Sequence, residues 1–84
     1  MTNKEILKKQ IIYRATHRGT KEMDILLGNF VKKYIKEFND NELQDLEKLL
    51  FIEDEIIYNW YFEKNFNNNI SNTKVSLMLK NFKL

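Results

Sequence analysis

The spacing of apolar residues along the chain predicts a protein built from helices. Between Met23 and Phe38, apolar side chains recur every three or four residues, as on the buried face of an amphipathic helix. Gly28 falls beside this stripe. Ahead of it, Thr2 and Glu5 have the spacing of a capping box and predict the start of a first helix. The inner side of that first helix is expected to hold Ile6, Leu7, Gln10, Ile11 and Arg14.

Three shorter helices are predicted downstream. Asp40 is expected to cap a third helix, a fourth helix starts near Asp54, and Asn72 is expected to cap a fifth. The polar run at 65–69 predicts a loop between the last two. The apolar faces of these helices are Leu43, Leu46, Leu49 and Leu50, then Ile56, Ile57, Trp60 and Tyr61, and finally Val75, Met78, Leu79 and Phe82.

The pattern as a whole predicts one fold class. No segment alternates apolar and polar residues for long enough to predict a strand. We expect an all-α protein, a compact bundle of about five short helices, with residues 1–84 forming a single domain. Trp60 is expected to anchor the core, and Tyr58, which is out of phase with its apolar neighbours, is expected at the surface.

The composition limits the chemistry that is available to the chain. Its 84 residues include no cysteine and a single histidine, and the formal net charge is +2. Disulfides and cysteine-ligated metals are therefore excluded, and one histidine makes no histidine-based metal site unless several carboxylates converge on it. Glycine-rich phosphate-binding loops are also missing. We expect a protein without a catalytic nucleophile, a metal site or a stably bound cofactor of its own.

The start of the chain predicts no targeting signal. Met1–Glu5 contains no apolar run of the kind found in signal peptides, and the region lacks the arginine-rich, acid-poor character of a mitochondrial transit peptide. The chain is therefore expected to be either a bacterial, cytoplasmic protein or a mature form, and of these we predict the bacterial, cytoplasmic protein, without insertion into a membrane.

The segment from His17 to Asp24 combines a turn with charges of both signs. The end of one helix and the start of the next explain most of these residues. Gly19 tolerates positive φ at a turn, the next threonine can cap a helix, and carboxylates are favourable in the first turn of a helix. Alternatively, Gly19 presents Arg18 as a planar fork for a carboxylate, phosphate or carbonyl group of a partner. Glu22 would then hold Arg18 or contact the partner itself. Physical chemistry alone leaves both interpretations open.

The sequence from Arg18 to Glu22 resembles the R-G-x-x-E signature of the flavinylation assembly factors of succinate dehydrogenase, also called succinate dehydrogenase assembly factor 2. Residues 23–30 are similar to the continuation of that signature in the family. The leucines at 46–50, with the aspartate and the tryptophan segment at 54–60, are similar to a second family segment. The resemblance covers nearly the whole chain.

The resemblance implies a specific function. Family members are small five-helix proteins that bind the flavoprotein subunit of succinate dehydrogenase and, in some bacteria, of fumarate reductase. They promote covalent attachment of FAD to a histidine of that subunit. This implies a monomeric assembly factor and not an enzyme, acting on FAD that the partner holds. The resemblance places partner binding on Arg18, Gly19 and Glu22 of the signature. The further partner-binding candidates are His17 and Asp24, which flank the signature in sequence, and Tyr58, which is expected at the surface.

Two departures from the commoner family pattern stand within this chain. Thr20 occupies a position that is often methionine, and His17 one that is often arginine or lysine. In the second segment, the aspartate that the family has two residues before its leucine–aromatic pair falls on Glu55 or Ile56, depending on the alignment.

Two other classes of function fit the sequence less well. A helical nucleic-acid-binding domain is disfavoured by the balanced charge and by basic residues that scatter over several segments. Those residues are Lys8, Lys9, Arg14, Arg18, Lys32, Lys33 and Lys36. A small enzyme that uses Glu22 and Asp24 as paired carboxylates is disfavoured because residues two apart on a helix do not face each other.

Overall fold

The computed structural model describes residues 2–63 and 70–83, and these residues form a helical bundle. A short 3₁₀ turn, Ile35–Glu37, follows the second helix, and none of the described residues forms a strand. The all-α prediction is confirmed, whereas the loop predicted at 65–69 lies outside the described residues. Within the described ranges, no helix has the length and apolar character needed to cross a membrane. The helices are α1 (Asn3–Thr16), α2 (Lys21–Tyr34), α3 (Asp40–Leu50), α4 (Asp54–Tyr61) and α5 (Lys74–Asn81).

The periodic stripe of α2 forms the middle of the core, as the sequence predicts. α1 packs against both α2 and α3, and α3 packs against α5. Trp60 of α4 is buried, which confirms its predicted role as an anchor, while Tyr58 reaches the surface with 38% of its area exposed. The fully buried residues of α2 are Met23, Leu26, Leu27, Phe30 and Val31.

The inner face of α1 differs from the predicted one. Ile11 and Ala15 are fully buried, whereas Ile6 is 43% exposed and Arg14 lies at the surface with its guanidinium 4.2 Å from the Phe51 ring. Residues four apart on a helix stack on the same side, so Ala15 continues the line of Ile11. A small residue such as alanine gives a weak signal in the hydrophobic pattern, which is why the sequence analysis missed it.

Two predicted helix caps shift by one residue. Asn39, and not Asp40, caps α3: its side chain accepts the Glu42 N–H at 2.8 Å, while the Glu42 carboxylate accepts the Asn39 N–H at 2.9 Å. Thr73, and not Asn72, caps α5 in the same reciprocal way. A cap residue has extended backbone and is followed directly by the helix. Asp40 is already the first residue of α3, and Asn72 lies one residue before the cap of α5.

Gly28, which falls off the apolar stripe of α2 in the sequence, lies in the packed interior. It is buried in α2 where that helix meets α1. A Cβ added at Gly28 would lie 3.5 Å from Thr16 Cγ2 and 3.9 Å from the Ala15 carbonyl oxygen. These are ordinary van der Waals distances, so the crossing has room for a methyl group.

Candidate functional site

Gly19 lies in the turn that joins α1 to α2, and the structure gives it a different role from the predicted one. Its φ is outside the left-handed region, so positive φ does not explain the glycine. Space does: its N–H donates to Asp54 Oδ2 at 2.7 Å, and an added Cβ would lie 3.0 Å from that same oxygen. The glycine therefore permits a close approach between this turn and the start of α4.

Arg18 is not presented outward as a fork. Its side chain is only 9% exposed, and its Nε and Nη2 atoms lie 2.7 and 2.6 Å from Asp54 Oδ1. Nη1 donates to the Leu50 carbonyl at 2.7 Å, and Nη2 donates to the Ile52 carbonyl at 3.0 Å. The guanidinium thus ties the α1–α2 turn to the segment between α3 and α4, and this corrects the idea that it projects toward a partner.

Of the three carboxylates around the turn, two bind Arg18 and one is exposed. Asp54, and not Glu22, holds the Arg18 side chain, and Asp24 accepts the backbone N–H of Arg18. Asp24 is half-buried in this role, whereas Glu22 is exposed in the first turn of α2. The two acids proposed as a catalytic pair therefore differ in environment, and one of them is already engaged in holding the backbone.

His17 ends α1 and lies at the surface next to the turn. Its ring stacks on Tyr13 with centroids 3.9 Å apart and planes inclined by 18°. Its Nδ1 lies 2.8 Å from the Tyr13 carbonyl oxygen. The imidazole is thus directed back along α1, away from the residues that surround Gly19.

An apolar groove of about 410 Å³ lies between the turn and α4. Its lining joins the signature segment to the tryptophan segment, because Gly19 and Tyr58 stand on it together. Of the six predicted partner-binding residues, only these two line the groove. The Phe62 ring, 4.7 Å from the Tyr58 ring, extends the aromatic surface. The complete lining is Gly19, Thr20, Met23, Asp54, Glu55 and Tyr58.

Asp54 is a member of the site that was not predicted from the sequence. From the sequence, Asp54 was expected to start a helix and to belong to the second family segment, while a further family aspartate was matched to Glu55 or Ile56. In the structure Asp54 makes the contacts to the turn, Glu55 lines the groove, and Ile56 packs against the core. The available signal was an arginine before one turn and an aspartate at the start of a later helix, which no local spacing connects.

The rest of the described chain offers little competing chemistry. Over residues 2–63 and 70–83, no three histidine, aspartate or glutamate side chains are grouped so as to hold a metal ion. The internal pairing of Arg18 also removes one of the cations on which a nucleic-acid-binding surface would depend.

The chain is similar to assembly factors from fungi, a slime mould and a bacterium. It is 43% identical over 56 residues to "Succinate dehydrogenase assembly factor 2, mitochondrial" of Scheffersomyces stipitis, and the aligned residues are 67% of this chain and 38% of that protein. The protein of the same name from Dictyostelium discoideum is 37% identical over 60 residues, 71% of this chain and 43% of the relative. "FAD assembly factor SdhE" of Acetobacter pasteurianus is 38% identical over 55 residues, 66% and 50% of the two chains.

These relatives contradict the expected bacterial, cytoplasmic setting. The fungal and slime-mould proteins are named as mitochondrial, although a bacterial factor matches as well. The chain matches only about two fifths of the length of the fungal relatives. No solved structure matches this chain.

A family model agrees with these pairwise similarities over most of the sequence. The model described as "Flavinator of succinate dehydrogenase" matches residues 9–83, a range that includes the turn at Gly19, the groove and all of α2 to α5. The chain therefore belongs to the family of flavinators of succinate dehydrogenase.

Proposed function

We propose that this protein binds the flavoprotein subunit of succinate dehydrogenase and promotes covalent attachment of FAD to it. The observation that carries the proposal is the groove in which Gly19 of the signature segment meets Tyr58 of the tryptophan segment. The two segments on which the family resemblance rests thus form one surface. Membership of the flavinator family and relatives named as succinate dehydrogenase and FAD assembly factors support the same function.

The proposed contact surface combines an apolar groove with exposed acids at its border. Tyr58, which is 38% exposed, offers apolar surface to a partner side chain, and aromatic side chains such as tyrosine commonly carry much of the binding energy at interfaces. Glu55 lines the groove, and Glu22 is exposed one turn into the helix that follows Gly19. We assign both acids to partner contact. His17 would contribute at the edge, and Asp24 would act by holding the backbone of the turn.

The proposed mechanism is selective binding and not group chemistry on this chain. FAD and the histidine that receives it would belong to the partner. By binding most tightly the conformer of the flavoprotein in which flavin and histidine are aligned, the protein would raise the population of that conformer. Each tenfold preference for the aligned conformer corresponds to about 1.4 kcal/mol.

Affinity capture of the flavoprotein subunit on immobilised protein tests this proposal. Gly19→Arg places a long side chain in the groove and changes an exposed turn, so the variant is expected to keep the helical fold and lose the partner. Gln44→Arg is the matched control, since it adds the same side chain at an exposed position of α3 away from the groove lining. We expect a one-to-one complex with the wild type and with Gln44→Arg. Equal capture by Gly19→Arg would overturn the assignment of the groove.

A further inference from the structure

The guanidinium of Arg18 makes four hydrogen bonds and one ion-pair contact within the protein. A guanidinium carries five N–H donors, and five acceptor contacts lie within the protein. Two go to Asp54 Oδ1, two to the carbonyls of Leu50 and Ile52, and the longest, at 3.4 Å, to the Arg14 carbonyl. Because the side chain is only 9% exposed, it offers a partner little surface for a direct contact.

Asp54 uses both carboxylate oxygens, and each engages a different residue of the signature. Oδ1 binds the Arg18 side chain, while Oδ2 accepts the Gly19 N–H at 2.7 Å. Asp54 is also the first residue of α4, where the helix dipole favours a negative charge. The backbone of the turn is therefore held at two consecutive amides, because the Arg18 N–H donates to Asp24 and the Gly19 N–H donates to Asp54.

The second oxygen of Asp54 connects this pair to the groove. Both Asp54 and Gly19 line the groove, whereas Arg18 lies behind it and is not part of its lining. The arginine therefore reaches the groove only through the carboxylate that it holds. Fixing the turn before binding lowers the entropy that a partner would have to remove, which is the usual benefit of a preorganised site.

We propose that Asp54 is a positioning residue of the partner-binding site, and that Arg18 acts on the partner only by fixing Asp54. The proposal rests on the proposed function, because the site in question is the groove assigned there to the flavoprotein. Arg18 is then an internal clamp, and the surface offered to the partner is the Gly19 backbone with the groove beside it.

Asp54→Asn tests the clamp, because it keeps the size of the side chain and removes its charge. We expect at least tenfold faster hydrogen exchange of the Gly19 amide in the free protein and at least tenfold weaker binding to the purified flavoprotein subunit, with helical circular dichroism retained. Asp40→Asn is the matched control, since Asp40 is likewise the first residue of a helix and pairs with a lysine, Lys4, at 3.6 Å. It should change neither quantity by more than twofold.

A double-mutant cycle separates a clamp from a direct contact. If Arg18 acts only through Asp54, Arg18→Gln combined with Asp54→Asn weakens binding no more than the stronger single substitution. Additive losses in the cycle would refute the proposal, as would lost binding with unchanged Gly19 exchange. Should Asp54→Asn fail to fold, Asp54→Glu keeps the charge but displaces the oxygen from Gly19 and must give the same faster exchange.

The same experiment distinguishes this inference from the proposed function. Failure of the wild type to bind the flavoprotein subunit would refute the function. The Gly19 amide still tests the clamp in that case, since an exchange rate insensitive to Asp54→Asn would refute the clamp by itself.

Discussion

The two glycines of this chain predict opposite effects of the same substitution. Gly28 lies inside α2, where alanine is favoured over glycine by about 1 kcal/mol. The added Cβ would meet Thr16 Cγ2 at 3.5 Å and the Ala15 carbonyl at 3.9 Å, so no clash offsets the gain. Gly28→Ala should therefore stabilise the fold by about 1 kcal/mol, which raises the melting temperature of a domain of this size by about 4–8 °C.

Gly19→Ala should have the reverse effect. The Cβ would lie 3.0 Å from Asp54 Oδ2, so the carboxylate must retreat and its 2.7 Å bond from the Gly19 N–H must weaken. A hydrogen bond to a charged group contributes about 1.5–3 kcal/mol, while the reduced freedom of the unfolded chain returns about 0.4–1 kcal/mol. The expected net loss is about 1 kcal/mol.

Urea and thermal unfolding, monitored by circular dichroism at about 222 nm, measure the free energy of unfolding of both variants and of the wild type. The opposite signs are the test, since both variants remove a glycine and add one methyl group. A destabilised Gly28→Ala would show that the α1–α2 crossing has no space for a methyl group. A stabilised Gly19→Ala would refute the close approach of the turn to Asp54.

Two further predictions concern the capping box of α3. Asn39→Ala should cost about 1 kcal/mol in chemical unfolding, because it removes the acceptor of the Glu42 N–H, whereas the exposed neighbour variant Asn41→Ala should cost much less. The bond from the Asn39 N–H, and then the pairing with Lys74 at 3.0 Å, hold the pKa of Glu42 below its usual 4.5. Because the folded pKa is the lower one, this contribution is present above pH 4.5 and disappears as the pH falls through the folded pKa. The stability difference between wild type and Glu42→Gln should therefore shrink on acidification below pH 4.5, and a constant difference would contradict the pairing.

The fold was predictable where the signal is local and repeated. The stripe of α2 and the leucines of α3 follow helical spacing, so their burial could be predicted from the sequence. Caps were harder, because Asn39 and Asp40 are both good caps and the backbone, not the residue type, decides between them.

Only part of the candidate site could be predicted from the sequence, namely Gly19 and Tyr58 of the groove lining, and the contacts within the site could not. The resemblance pointed to Arg18 and Gly19, but Arg18 meets Asp54 across 36 residues of sequence, and no spacing rule connects them. A glycine needed for space also looks the same in a sequence as one needed for positive φ. Only the three-dimensional contacts separate the two cases at Gly19.

Covalent flavin on the flavoprotein subunit is the most direct measure of the central claim. Apo-flavoprotein and FAD are incubated with the wild type, Gly19→Arg or Gln44→Arg, then denatured, separated by electrophoresis and imaged by flavin fluorescence. The account predicts a fluorescent band with the wild type and with Gln44→Arg, and a background signal with Gly19→Arg. An equally bright band with Gly19→Arg, or none with the wild type, would contradict it.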